Sequence, residues 1–575
     1  MNARDTLGPA HRTTAWQELQ DGSFDVLVVG GGVTGSGVAL DAATRGLRTA
    51  LVEMSDYASG TSSRSSKLFH GGLRYLEQLN VRLVREALHE RELMLTRLAP
   101  HLVKPVPFLY PLKGRGWERP YVGAGLALYD TLAGRSSLPR HRHLSRGGAR
   151  TICPALRPDA LVGALQYYDA QADDARHTLT VARTAAHYGA VLRSSTEVVG
   201  LLRDGGRVIG AEVRDVETGE STTVRASVVV NCTGVWTDEV QELAETRGRF
   251  RVRASKGVHL VVPRDRINSE TGLILRTASS VLFVIPWGNH WLVGTTDTDW
   301  TLDKLHPAAS RSDIDYLLSQ VNSVLVTPLT HDDILGVYAG LRPLLSGESE
   351  ETSQLSREHA VARPSPGLIS VAGGKYTTYR VMARDAVDAA VHDIDRPVAP
   401  CVTDRTPILG AEGYAALSNS LASLAAEWSL PTWRVRRLLD RYGSLVAEVL
   451  EPTRTDPALR EALDGADGYL VAEVLYAVTH EGALHLDDVL TRRTRISIEV
   501  ADRGVRAADA VAGVVAPVLG WDEATVAREL EAYRDRVRAE RESQTHDEDL
   551  AADSARRSAA DLRSRERARH TSSTR

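Results

Sequence analysis

The sequence predicts an α/β protein. It would have a parallel-sheet domain drawn from separate stretches of chain, a strand-rich layer inserted in it, and a helical domain at the C-terminal end. Three observations carry the prediction. Between Phe24 and Glu53 an apolar strand runs through glycines into a helix and then a second strand. Two later strands, ending at Thr233-Gly234 and Gly373-Gly374, enter helices in the same manner. Beyond about residue 400 the mixed pattern gives way to helical periodicity.

The first unit opens with Asp25-Val26-Leu27-Val28-Val29, a β-branched run suited to a buried parallel strand. Gly30-Gly31-Gly32-Val33-Thr34-Gly35 then fits G-x-G-x-x-G. Ser36 to Arg45 reads as a helix whose Gly37, Ala39, Ala42 and Ala43 let it lie close on a sheet. A second strand, 49–52, ends at Glu53. Gly30 permits the tight turn, Gly32 lets backbone approach a pyrophosphate, and Gly35 allows close helix–strand contact. The helix N-terminus offers N–H groups to phosphates, and Glu53 can accept from ribose hydroxyls. The pattern is that of a Rossmann-like dinucleotide unit and leaves NAD, NADP and FAD open.

Taken in order, residues 1–22 form a short polar extension. The stretch from Thr61 to Glu77 is dense in hydrogen-bonding side chains and glycines, as a loop against a polar ligand would be. A helix follows over 81–98. The 100–158 region is broken by proline and glycine and carries Arg135, Arg140, Arg142, Arg146 and Arg150. Within it an apolar patch, 121–129, follows Lys113, Arg115 and Arg119. Apolar surface beside basic residues suits an anionic bilayer; a buried helix end with solvated arginines is the plainer reading and is preferred. A helix over 174–188 leads into strands over 190–202, 207–215, 221–225 and 226–230. Residues 252–300 are strand-rich, and a helix spans 311–326. The glycines at 373–374 open a long helix over 377–391, its N-terminus again aimed at a ligand. The dinucleotide domain is therefore expected to be discontinuous, over 24–98, 165–235 and 346–395, with 99–164 and 236–345 as a substrate-binding or cap region. Helices over 411–428, 431–450, 467–482, 485–492, 498–515 and 522–541 form a C-terminal domain, 400–542. Residues 543–575, poor in apolar side chains, read as a disordered charged tail.

Bulk properties narrow the class. The 575 residues are 43% hydrophobic and 25% charged, as in a soluble globular protein, and the net charge of −5 argues against a nucleic-acid binder. Three scattered cysteines predict a reducing compartment, and the polar N-terminus and lack of a spanning apolar run predict a cytoplasmic protein, with peripheral membrane contact open. His480 and His485 stand five apart, not the four that a zinc-protease helix requires, so no metal is expected. What remains is cationic: Arg74, Arg342, Arg357 and Lys375 each sit in or near a glycine-punctuated segment that the layout brings round one pocket. Guanidinium groups grip phosphate oxygens bidentately, so this set suits a small phosphorylated substrate. His259, within an apolar strand, is either a core histidine or a general base.

Two stretches carry a family. Thr61-Ser62-Ser63-Arg64-Ser65-Ser66-Lys67-Leu68-Phe69-His70-Gly71-Gly72-Leu73-Arg74-Tyr75-Leu76-Glu77 resembles a signature of FAD-dependent glycerol-3-phosphate dehydrogenases. Gly373-Gly374-Lys375-Tyr376-Thr377-Thr378-Tyr379-Arg380 resembles the second, with Tyr376 where leucine is more usual. The likeness continues through Lys256-Gly257-Val258-His259, Gly294-Thr295-Thr296-Asp297, Gly340-Leu341-Arg342-Pro343-Leu344 and Arg492-Arg493-Thr494, over about residues 24–535. It implies an FAD domain similar to D-amino-acid-oxidase-type flavoproteins with an antiparallel-sheet substrate domain. The implied substrate is sn-glycerol 3-phosphate, oxidised to dihydroxyacetone phosphate, with electrons passing to a respiratory quinone from a peripheral, homodimeric membrane protein. His259, Arg342 and Lys375 would be catalytic. Arg74, Tyr75, Arg342, Arg357 and Lys375 would hold the substrate. FAD would be held by Gly30, Gly32, Gly35, Glu53, Thr61, Ser62, Ser65, Ser66, Lys67, Leu68, His70, Gly71, Gly72, Thr233, Gly234, Gly373, Gly374, Lys375 and Thr377. An oxidase that reduces oxygen and a non-catalytic flavin sensor stay open as alternatives.

Overall fold

The computed structural model describes residues 6–77, 80–114, 116–134, 136–244, 250–277, 281–345, 359–559 and 561–564. Five parallel strands form the heart of one sheet, in the order Leu368–Gly373, Ser221–Asn231, Ser23–Val29, Thr49–Val52, Val191–Arg193. Val28 lies opposite both Val230 and Leu51 in register, and all three are fully buried. Strands buried on both faces need apolar side chains at every position, which is why the runs at 26–29, 50–52 and 228–230 are continuous, whereas the first half of Ser221–Asn231, beyond the parallel core, alternates.

Helices Val33–Thr44, Asp174–His187 and Tyr379–Val391 cover one face, their Val38, Leu179, Ala182 and Ala386 packed with Val26, Val28 and Ile369. The other face is closed by a helix at Pro9–Asp21, whose Ala15, Trp16 and Leu19 pack with Leu27 and Val29. The N-terminal extension is thus part of the core from Pro9 onward. The strands Ser23–Val29, Ser221–Asn231 and Leu368–Gly373 are neighbours, so the glycines that follow them, far apart in sequence, emerge side by side at one sheet edge.

A second sheet is largely antiparallel and holds Val252–Pro263 between Gly336–Leu345 and His290–Gly294. The strand Gly163–Gln171 belongs to this sheet, paired with Lys104–Leu112, which corrects the expected domain boundary at 165 by several residues. Alternation in sequence marks a strand without saying which sheet takes it. Beyond residue 400 the chain is mostly helical, with one hairpin, Ala462–Leu463 with Ala466–Leu470, occupying the start of the helix expected over 467–482.

The expected disordered tail is corrected more sharply. A helix at Glu523–Ser543 is followed by another at Asp549–Arg557, and Arg556, Ala559, Leu562 and Arg563 are buried. Few apolar residues are involved. The segment is held by charge: Lys256 Nζ, buried, pairs with Asp549 at 2.5 Å and Asp313 at 2.6 Å, and His306 pairs with Asp561 at 2.8 Å. Arg563 forks onto Asp488 at 2.8 Å through both terminal nitrogens. Composition signals disorder where apolar burial is missing, and here paired charges take its place. Residues 565–575 lie outside the described residues.

Candidate active site

A cleft of about 720 Å³ opens where the three glycine junctions meet the second sheet. Gly30 has φ +107°, and a Cβ there would come 2.8 Å from the Cys232 carbonyl oxygen. A Cβ on Gly35 would collide with the Gly30 carbonyl. Glycine is required at both positions, because strand ends and helix start are pressed together to leave backbone facing the cleft. Glu53 accepts from Gly31 N at 2.6 Å and Ser55 N at 2.8 Å, so its carboxylate braces the glycine turn as well as lining the cleft. Burial pushes this carboxyl above the usual range. Ser62 Oγ accepts from Val33 N at 2.9 Å, joining the start of the first cleft helix to the 61–63 turn.

Gly30, Gly32, Glu53, Thr61, Ser62, Ser65, Ser66, Leu68, His70, Thr233, Gly234, Gly373, Gly374 and Lys375 all reach the cleft wall. Gly35, Lys67, Gly71, Gly72 and Thr377 stand behind it. Lys67 is the clearest correction: it is 1% exposed, and its Nζ pairs with Asp174 at 2.7 Å. The same carboxylate accepts from Ser65 N at 2.9 Å and Ser65 Oγ at 2.7 Å, so Lys67 and Asp174 shape the loop rather than touch what fills the cleft. Thr377 Oγ1 accepts from His70 N at 3.1 Å and so fixes His70 on the wall. Gly71 N donates to Tyr129 OH at 2.9 Å, with no room for a Cβ beside Leu88.

His259, Arg342, Lys375 and Tyr75 meet in the same cleft. His259 lies on Val252–Pro263 directly across from Tyr338, and the two rings stack at 4.9 Å and 7°. Its Nε2 is 2.9 Å from Ser66 Oγ, and Tyr338 OH donates to Ser65 O at 3.0 Å. Burial holds the imidazole well below its ordinary pKa, with Arg342 and Lys67 adding repulsion, so the ring is neutral. Arg342 pairs in register with Ser255; its Nη2 donates to Thr295 Oγ1 at 3.0 Å and Thr296 O at 3.1 Å. Asp297 Oδ1 stands 3.4 Å from its Nη1. Lys375 Nζ sits 3.6 Å from the Tyr75 ring centroid, a cation–π contact. Arg74 opens the short helix Arg74–Glu77 that carries Tyr75. Arg357 lies outside the described residues.

Sequence reasoning missed Asp174, Tyr338, Thr295 and Asp297 as supports of this site. The Asp173-Asp174 pair at a helix start was the available signal for the first. Nothing local distinguishes Tyr338 from any strand tyrosine. His480, Glu481 and His485 resolve as structural ion pairs: Glu481 holds Arg176, and His485 lies 2.7 Å from Glu529 and 3.2 Å from Glu217.

Comparison with known proteins places this arrangement. Residues 25–380 match the family model described as FAD dependent oxidoreductase, and 401–526 match the C-terminal domain of alpha-glycerophosphate oxidase. The chain is 62% identical to glycerol-3-phosphate dehydrogenase 2 of Mycobacterium bovis, covering 97% of this chain and 95% of the relative. It is 38% identical to the human mitochondrial glycerol-3-phosphate dehydrogenase, over 92% of this chain and 75% of that one. Among solved structures, glycerol-3-phosphate dehydrogenase from Bacillus halodurans complexed with FAD superposes with a TM-score of 0.76 at 29% identity, covering 92% of this chain and 98% of that one. The glycine cradle, the donor-rich cleft and these likenesses agree on one cofactor, FAD, and the chain belongs to the FAD-dependent glycerol-3-phosphate dehydrogenase family.

Proposed function

We propose that this protein oxidises sn-glycerol 3-phosphate to dihydroxyacetone phosphate and passes the electrons to a respiratory quinone. The observation that carries the reading is the meeting of a neutral buried histidine with Arg342, Lys375 and Tyr75 in the cleft that the glycine junctions form. The relatives named above are called glycerol-3-phosphate dehydrogenases, which supports the substrate; the quinone is our own addition.

Bound FAD supplies the hydride acceptor. The chain's own part is to hold the secondary alcohol carbon against it and to receive the hydroxyl proton. We assign proton acceptance to His259 Nε2, which already meets a hydroxyl at Ser66, whereas Nδ1 is buried without a hydrogen-bond partner among the described residues. Arg342, held in one orientation by Thr295 and Thr296, offsets the charge on the alcohol oxygen as the proton leaves. Lys375 and Tyr75, with Arg74 and Arg357, grip the phosphate. Anaerobic glycerol 3-phosphate should bleach the flavin absorbance, and reoxidation by a quinone analogue should outpace reoxidation by air. A spectrum that stays oxidised overturns the substrate assignment; stoichiometric peroxide in place of quinone reduction overturns the acceptor.

The pH profile follows from the site's electrostatics. A lowered imidazole pKa keeps His259 in its base form as pH falls through 6.5, so the acid limb of kcat/KM should lie below that value. A limb at 6.5 or higher would remove His259 as the base.

Access to quinone requires membrane contact, and the helix Glu118–Ala133 supports one. Its Gly123, Leu126 and Tyr129 are buried, while Tyr121 and Leu128, with Trp117 just before it, are 46%, 43% and 69% exposed. Among the described residues no helix is long and apolar enough to cross a membrane. Replacing Trp117, Tyr121 and Leu128 together by serine should weaken cosedimentation with phosphatidylglycerol vesicles roughly tenfold or more, since each removes buried apolar area from the interface. Unchanged sedimentation would place the contact elsewhere.

A further inference from the structure

A second chamber, of about 90 Å³, lies behind the cleft wall and shares Ser59, Arg64 and Leu305 with it. Its walls come from the 55–64 loop, the second sheet's 305–309 and 337–339 segments, the helical domain and the C-terminal segment. The carboxylates on the wall are already engaged. Asp487 holds Arg492 at 2.8 Å and Arg536 at 2.6 Å, Glu540 holds Arg536 at 2.9 Å, and Asp561 holds His306 at 2.8 Å.

Arg64 is different. Its guanidinium donates to Leu305 O at 3.1 Å, and among the described residues no carboxylate stands within ion-pair distance of it. Burial, with Arg492, Arg536 and Arg556 as like-charged neighbours, brings its pKa down to about 10. Arg556 is buried too, with Glu540 at 3.7 Å shared with Arg536. Two further groups on the wall, the Ser55 and Ser497 hydroxyls, are buried without hydrogen-bond partners. The other wall arginines are matched, Arg492 by Asp56 and Asp488, Arg495 by Asp173 and Asp174, and Arg563 by Asp488, so the groups left uncommitted round the chamber are two hydroxyls beside the one guanidinium, Arg64, that has no carboxylate partner among the described residues. Water fits a space of this size but does not offset a buried cation.

We propose that this chamber binds one small tetrahedral oxyanion, of the sulfate or inorganic phosphate class, between Arg64, Arg556, Ser55 and Ser497. The anion supplies the counter-charge that Arg64 lacks and joins the loop behind the flavin cleft to the C-terminal segment. This site is separate from the substrate cations, which face the main cleft.

The test uses the FAD-loaded full chain. Crystals soaked in selenate should give an anomalous peak between Arg64 and Ser497, in addition to any in the main cleft. In solution, sulfate titrated against chloride at constant ionic strength should raise the melting temperature saturably. Arg64→Met should weaken the apparent affinity at least tenfold and Ser497→Ala several-fold, whereas Arg342→Ala, which alters the substrate site, should leave this response intact. No selenate peak in the chamber overturns the proposal, as does a sulfate response in Arg64→Met equal to that of the unaltered chain or one lost in Arg342→Ala. If Arg64→Met does not fold, Ser497→Ala and the selenate map decide.

Discussion

Replacing Arg342 by alanine is expected to lower kcat/KM for glycerol 3-phosphate by roughly 10²–10³-fold while FAD stays bound, the cost of removing a preorganised donor from developing negative charge. The guanidinium is fixed before substrate arrives: Thr295 Oγ1 and Thr296 O accept from one terminal nitrogen, and Asp297 lies beside the other. No cofactor-cradle glycine touches these bonds, so the flavin should be retained. Lysine at 342 should recover only part of the loss, because it restores charge without the planar fork. Removing Arg342 should also relieve one of the repulsions that lower the His259 pKa, moving the acid limb of the rate profile upward. Steady-state kinetics with flavin absorbance check both. Turnover within a few-fold of the unaltered enzyme would place Arg342 outside the reacting site.

Arg563→Met is expected to destabilise the folded chain by about 3–5 kcal/mol, the range for breaking a buried ion pair from one side. Arg563 is 5% exposed, forks onto both Asp488 oxygens and donates to Ser195 Oγ at 2.6 Å, so one side chain joins the C-terminal segment to the helical domain and to the parallel-sheet domain. The methionine fills similar volume and leaves Asp488, among the described residues, with Arg492 alone as its ion-pair partner. Burial by itself would raise the Asp488 pKa; Arg563, then Arg492 and His485, hold it well below the ordinary carboxylate value. A carboxyl depressed in the folded state stabilises above its unfolded pKa, and that contribution is lost as pH falls through the folded value. The variant's deficit should therefore be full at neutral pH and narrow in strong acid. Denaturant titration measures it, and a loss under 1 kcal/mol at pH 7 would make the C-terminal segment a loose attachment.

The parts of the site that could be read in advance share a cause. Gly35 answers to a clash only five residues away, with the Gly30 carbonyl, and Gly30 to its own positive φ, though its close neighbour Cys232 is distant in sequence; the Thr61–Glu77 and Gly373–Arg380 stretches keep their polar groups on contiguous backbone. Lys67 shows where such reading stops. Its place in the signature suggested a flavin contact, but Asp174, more than a hundred residues on, draws the ammonium inward. The 165–171 strand and the C-terminal segment failed for the same reason: what each pairs with is distant in sequence. The 543–564 stretch looked disordered because apolar content was the criterion, whereas Asp488, His306 and Lys256 are what hold it.

By itself the sequence determined where the chain turns on glycine, which cations and which histidine to propose for the chemistry, and the family to which the chain belongs, because backbone geometry and side-chain type are local properties. The tertiary structure decided which of those groups face the cleft, why His259 is neutral, and that the C-terminal residues close a chamber behind it. Burial and charge pairing arise only when distant segments meet, and they set the protonation state and orientation on which the reaction depends.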